Sequence, residues 1–136
     1  ASEVAQEFEV HAATDVTGFG LLGHAREMAA GSKVSLVLDS AAVQFLPEAA
    51  DYSLQGHLPG GLKRNMEFIS GCVEFADGVA EEVRNLLYDP QTSGGLLLAV
   101  ASGDAPGLLA ALRRRNIPAQ EIGEVAPKTQ PLIRVR

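Results

Sequence analysis

The chain has 136 residues, 46% of them apolar and 21% charged, with a formal net charge of −6. That balance describes one globular domain with its own core, and it argues against a disordered tail, a membrane-spanning run and a nonspecific nucleic-acid binder. Aromatic side chains are 5% with no tryptophan, which disfavours a base-stacking surface, and a single cysteine, Cys72, can form neither an internal disulfide nor a cysteine-rich zinc site.

A lone cysteine fits a reducing cytoplasm, and the polar first residues, Ala1 to Glu7, carry no leader pattern. Glu7 to His11 alternates strictly, which predicts a half-buried strand with Phe8 and Val10 facing inward. The turn-rich stretch Thr14 to Gly20 follows, and then a helix whose apolar face is Leu21, Leu22, Ala25, Met28 and Ala29, stopping at Gly31. Val34 to Leu38 reads as a second strand. Residues 40–57 read as helical pieces broken at Pro47, Pro59-Gly60-Gly61 as a loop, and 66–75 as a strand. Val79, Val83, Leu86 and Leu87 form a helical stripe with Glu81 and Glu82 in its first turn, ended by Asp89-Pro90. Leu96 to Val100 is a continuous apolar run, expected to be a strand covered on both faces. Asp104 is expected to cap a helix with Pro106 in its first turn, with Leu108, Leu109 and Leu112 buried. Arg113 to Arg115 then form a solvated, dipole-favoured end. Glu121 to Val125 and Leu132 to Arg136 are short closing strands, the last with Ile133 and Val135 inward. The whole of 1–136 thus reads as a single α/β (α+β) domain, a mixed β-sheet packed by helices.

Thr14-Asp15-Val16-Thr17-Gly18-Phe19-Gly20-Leu21-Leu22-Gly23-His24 is the densest segment chemically. It sets a carboxylate at a strand end, then a glycine turn, then a helix start. Helix N-termini favour phosphate, Gly18 and Gly20 permit close approach, and Asp15 is a hard oxygen ligand of the kind Mg²⁺ uses beside phosphates. The structural alternative, a strand-to-helix turn with Asp15 as a local cap, is equally open from the residues alone. Neither the phosphate loop with its lysine nor the dinucleotide glycine spacing is present. Asp89-Pro90-Gln91-Thr92-Ser93-Gly94-Gly95 is a second dense segment, where Thr92 and Ser93 either line a phosphate-facing cleft or, more simply, shape a turn. His11, His24 and His57 lack zinc-ligand spacing and read as structural, and Cys72 as a core residue rather than a nucleophile.

The first of these segments resembles the signature of selenophosphate synthetases (selenide, water dikinases). Asp89 to Leu97 is similar to a second signature of that family, and Pro59-Gly60-Gly61 with Arg64-Asn65 to a third, although Leu62 stands where threonine is more usual. The resemblance spans nearly the whole chain, in the family's order. It implies a fold like the C-terminal domain of aminoimidazole ribonucleotide synthetases, and a parent enzyme that converts ATP, selenide and water into selenophosphate, AMP and phosphate. It further implies Mg²⁺ as cofactor with Asp15 as one ligand, and Thr17, Gly18 and Gly20 as a phosphate-facing turn. The nucleophile, an essential lysine and the other aspartates would lie in an N-terminal domain outside this chain, through which such enzymes commonly dimerise. No catalytic residue is then expected here, and the chain alone should be inactive. The competing readings are the equivalent domain of a hydrogenase maturation protein, thiamine-monophosphate kinase or purine-pathway synthetase, or a noncatalytic binding module on this fold.

Overall fold

The computed structural model describes residues 1–91 and 94–136. A short helix, α1 (Ser2–Ala5), leads into β1 (Val10–Asp15). Next come α2 (Gly20–Ser32), β2 (Val34–Leu38), a single 3₁₀ turn at Ser40–Ala42, α3 (Ala49–Leu54) and α4 (Gly60–Ile69). A second 3₁₀ turn, Ser70–Cys72, precedes β3 (Val73–Phe75). The chain closes with α5 (Glu81–Tyr88), β4 (Leu96–Val100), α6 (Ala105–Arg114), β5 (Gly123–Pro127) and β6 (Ile133–Val135).

The expected mixed sheet is present, with strand order β3-β6-β2-β5. β2 and β3 both run parallel to β6, and β5 is antiparallel to β2. Helices α2, α4 and α5 pack on one another, and α2 also packs on β2 and β6. Between them lies the main core, where Leu22, Leu62, Ile69, Leu87, Ile133 and Val135 are almost wholly buried. Beside this sheet, β1 and β4 form an antiparallel ribbon of their own, with Asp15 opposite Leu96. An isolated two-stranded ribbon is marginal in water. This one is sandwiched: Leu97 packs toward the main core, while Leu98 and Val100 pack on a smaller cluster of Val4, Leu108, Ala111 and Leu112 from α1 and α6. The strand is therefore covered on both faces, though incompletely, and Leu96 stays 46% exposed.

Several boundaries differ from the sequence reading. The strand predicted at Glu7–His11 begins at Val10, where pairing with Val100 becomes possible, and its alternation of burial continues to Asp15. Gly31 lies inside α2, and the left-handed residue that ends it is Lys33, at φ 57°. Pro59-Gly60-Gly61 is the start of α4 rather than a loop, so only Val73–Phe75 of the strand predicted over 66–75 is extended. Its length matches its partner among the described residues, the three-residue β6. Asp104 does stand before α6, but its carboxylate accepts from the Glu9 N–H at 2.7 Å and caps no amide of that helix.

Candidate functional site: a cleft where three loop segments meet

β1 delivers Asp15 to the edge of the ribbon with its side chain exposed. Among the described residues its carboxylate accepts no hydrogen bond. The residue before α2 is Phe19, and among the described residues no side chain caps that helix, so Asp15 is not its cap. Beyond Asp15 the chain is tied to the segment after α5. Val16 N–H donates to Gly95 O and Gly94 N–H to Val16 O, both at 2.9 Å, and Gln91 N–H donates to Thr17 O at 3.0 Å. The Thr17 N–H donates to His24 Nε2 at 3.0 Å, and the Thr17 hydroxyl lies 3.1 Å from the same nitrogen. For Nε2 to accept, the neutral imidazole carries its proton on Nδ1.

The two glycines of the turn serve different ends. Gly20 is buried at φ 68°, and a Cβ there would come within 2.7 Å of Tyr88 O, so a side chain fits neither the backbone conformation nor the space. Gly18 faces open space, and its carbonyl accepts from Asn65 Nδ2 at 3.0 Å. The same nitrogen donates to Tyr88 O at 2.9 Å. With both neighbours carbonyl oxygens, the orientation of the Asn65 amide is fixed by its partners. Asn65 is 8% exposed and belongs to the buried face of α4, between Leu62 and Ile69. One buried amide thus joins the turn after β1, the helix after Pro59 and the end of α5. Gly61 extends the contact: a Cβ at that position would meet Pro90 Cγ at 2.6 Å.

An open cleft of about 570 Å³ lies at this junction. Gly18 and Phe19 form one wall, Gly61, Arg64, Asn65 and Phe68 of α4 another, and Pro90 closes it. Phe19 and Phe68 are 55% and 66% exposed, with ring centroids 6.4 Å apart. At the end of α5, burial pushes the Tyr88 hydroxyl up to about 12, and the negative charge of a Cys72 thiolate adds to the rise. Burial also raises the Asp89 carboxyl above its usual range, and the hydrogen bond from Gln91 Nε2 to Asp89 Oδ2, 2.9 Å, partly offsets this.

The structure brings Asp15, Thr17, Gly18 and Gly20 onto one turn, with Gly18 on the cleft wall, Thr17 engaged with His24 and Gly20 packed on Tyr88. Thr92 and Ser93 lie outside the described residues. His24 is hydrogen-bonded as expected, His57 stands edge-on to Tyr52, and Cys72 packs against the main core. Arg113 and Arg114 are exposed at the end of α6. No three His, Cys, Asp or Glu side chains gather as a metal site among the described residues. A lone exposed carboxylate suits Mg²⁺ only as one of its few protein ligands, with phosphates and waters supplying the rest. Arg64, Asn65 and Asp89 entered the sequence reading only as members of the segments that resemble the family's signatures, with no role given to any of them. The signal for Asn65 was present: a polar residue inside the helical stripe Leu62, Met66, Ile69.

Residues 1–135 match the family described as AIR synthase related protein, C-terminal domain. The chain belongs to that family. It is 44% identical over 136 residues to a selenide, water dikinase of Pelobacter propionicus, covering 99% of this chain and 38% of that protein. A selenide, water dikinase of Clostridioides difficile is 40% identical over 131 residues, covering 96% of the chain and 38% of its own length. The chain therefore spans little more than a third of these relatives, as befits one AIR synthase related domain. Among solved structures, the E. coli hydrogenase maturation protein HypE superposes with a TM-score of 0.62 at 20% identity, over 98% of this chain and 33% of that one. Thiamine-monophosphate kinase of Stenotrophomonas maltophilia gives 0.59 at 17%, over 96% and 32%. These two show the fold alone. Among the described residues no helix is long and apolar enough to cross a membrane.

Proposed function

We propose that this AIR synthase related domain is the C-terminal part of a cytoplasmic selenide, water dikinase, an enzyme that uses ATP and water to convert selenide to selenophosphate with release of AMP and phosphate. In this reading Asp15 is one Mg²⁺ ligand, and the turn of Thr17, Gly18 and Gly20 borders the nucleotide phosphates. The remaining ligands and the reacting groups come from an N-terminal domain, through which two copies of the full protein pair. The relatives named selenide, water dikinase support the assignment. The observation that carries it is the junction itself: segments 47 and 23 residues apart from Asn65 meet at one buried amide, which holds the Asp15 turn beside an open cleft.

Mg²⁺ would supply charge neutralisation of the triphosphate. What this chain's residues do is narrower. His24 and Gln91 hold the Thr17 peptide from both sides, Asn65 fixes the Gly18 carbonyl, and Asp15 is left unspent at the end of a paired strand. Such pre-organisation places a charged ligand without reorganisation at the moment of reaction. The test is selenide-dependent AMP formation. A protein joining this chain to the N-terminal part of its relatives should show it, and the 136-residue chain alone should not. AMP released equally with and without selenide by the longer protein would sink the reading.

A further inference from the structure

We propose that Arg64 is the residue with which this domain binds a phosphate group in the cleft, an assignment that rests on the reading above and adds a contact to it. The chain carries 17 acidic against 11 basic residues, yet no carboxylate lines this cleft, and Arg64 is its one charged side chain among the described residues. The other arginines have evident occupations. Arg26 pairs with Glu27, Arg115 with Glu3 and Glu7, Arg134 with Glu74 and Arg136 with Glu124. Arg84 donates to the Val79 and Ala76 carbonyls. Arg113 and Arg114 occupy the last turn of α6, where the helix dipole favours a cation.

Arg64 has no such partner among the described residues, and it lies in the middle of α4 rather than in the last turn, where the dipole would favour a cation. Its guanidinium folds back toward the first residues of that helix. Nη1 lies 3.5 Å from the place a Gly60 Cβ would take, and Nη2 lies 3.8 Å from that of Gly61. Both are ordinary van der Waals distances, and only Pro90, 2.6 Å from a Gly61 Cβ, requires a glycine there. A fork of N–H donors, unpaired among the described residues, therefore lies on the wall of an acid-free cleft that it shares with the exposed phenyl rings of Phe19 and Phe68. Planar guanidinium binds phosphate oxygens bidentately, with two parallel N–H···O bonds. The ligand class is a phosphate oxyanion, from a nucleotide's phosphate chain or from released orthophosphate.

The test is an NMR titration of the 136-residue chain in metal-free buffer with EDTA, using sodium tripolyphosphate and, separately, orthophosphate. The Gly18 and Gly61 amides and the Arg64 Nε–H signal should move saturably. Arg64→Gln should weaken binding by roughly tenfold or more, Arg64→Lys should restore part of it, and Lys63→Gln, one residue away on exposed helix surface, should leave it unchanged. A stronger response to tripolyphosphate assigns the cleft to a nucleotide's phosphates, and an equal response assigns it to the released phosphate; both sustain Arg64 as the contact. Absence of saturable shifts with either anion, or equal weakening by Lys63→Gln, overturns the proposal. No metal or selenide enters this titration, so its failure leaves the proposed reaction standing, whereas failure of selenide-dependent AMP formation leaves an Arg64 phosphate site intact.

Discussion

Replacing Asn65 by Asp keeps the shape of the side chain and removes the donor that joins the three segments. Two hydrogen bonds go, at 3.0 Å to Gly18 O and 2.9 Å to Tyr88 O, and an acceptor now faces two acceptors. Each bond is worth about 0.5–1.5 kcal/mol net. The Gly18 carbonyl belongs to an exposed residue and can turn to water, but Tyr88 is 4% exposed, and a carbonyl stranded there costs about 1–3 kcal/mol. The Gly18 bond and the stranded Tyr88 carbonyl together come to roughly 1.5–4.5 kcal/mol, which for a chain of this size corresponds to a fall in Tm of about 5–15 °C. Thermal denaturation followed by circular dichroism reads the stability, and the Gly18 and Gly20 amide signals in a ¹⁵N spectrum read the turn. A Tm within about 2 °C of the parent with both glycine signals unmoved would refute the idea that Asn65 holds the junction.

Gly20→Ala meets both a left-handed backbone and a 2.7 Å contact with Tyr88 O, so it should lose at least about 1–2 kcal/mol from conformation alone, whereas Gly18→Ala, with open space, should cost far less; equal Tm values would contradict the packing. Tyr88, isolated by Tyr52→Phe, should ionise near 12 in an absorbance titration. Because its hydroxyl ionises more readily in the unfolded chain, its contribution to stability is intact below pH 10 and falls as the pH rises toward 12; ionisation near 10 in the folded protein would mean the ring is not buried. Asp89→Asn keeps an acceptor for Gln91 and removes a half-buried charge, so at pH 7 the Tm should hold or rise, and a clear fall would show that the carboxylate has a stabilising partner.

Strands and helices with strong local periodicity were legible. Val34 to Leu38, apolar at every position but Ser35, shows its strand character directly, and Ile133 and Val135 alternate with the exposed Arg134 and Arg136. The start of α4 was hidden because Pro59-Gly60-Gly61 has the composition of a loop. Gly61 instead accommodates Pro90, a neighbour that comes from tertiary structure. Lys33 ends α2 in a left-handed conformation that glycine would have announced. The Asp15 turn was legible as a place, since a strand end, a glycine turn and a helix start are local features. What holds it was not, because Asn65 reaches Gly18 across 47 residues and Tyr88 across 23, and the pattern of either partner reveals nothing of a carbonyl's need.

The most direct test of the proposed function is the Mg²⁺ dependence of AMP formation by the longer protein carrying Asp15→Asn. Among the described residues the Asp15 carboxylate accepts no hydrogen bond and caps no helix, so the substitution should leave the Tm within about 1–2 °C of the parent. Turnover should collapse, or require far more Mg²⁺, because a neutral amide replaces an anionic ligand. Near-normal turnover with an unshifted Mg²⁺ requirement would contradict the account.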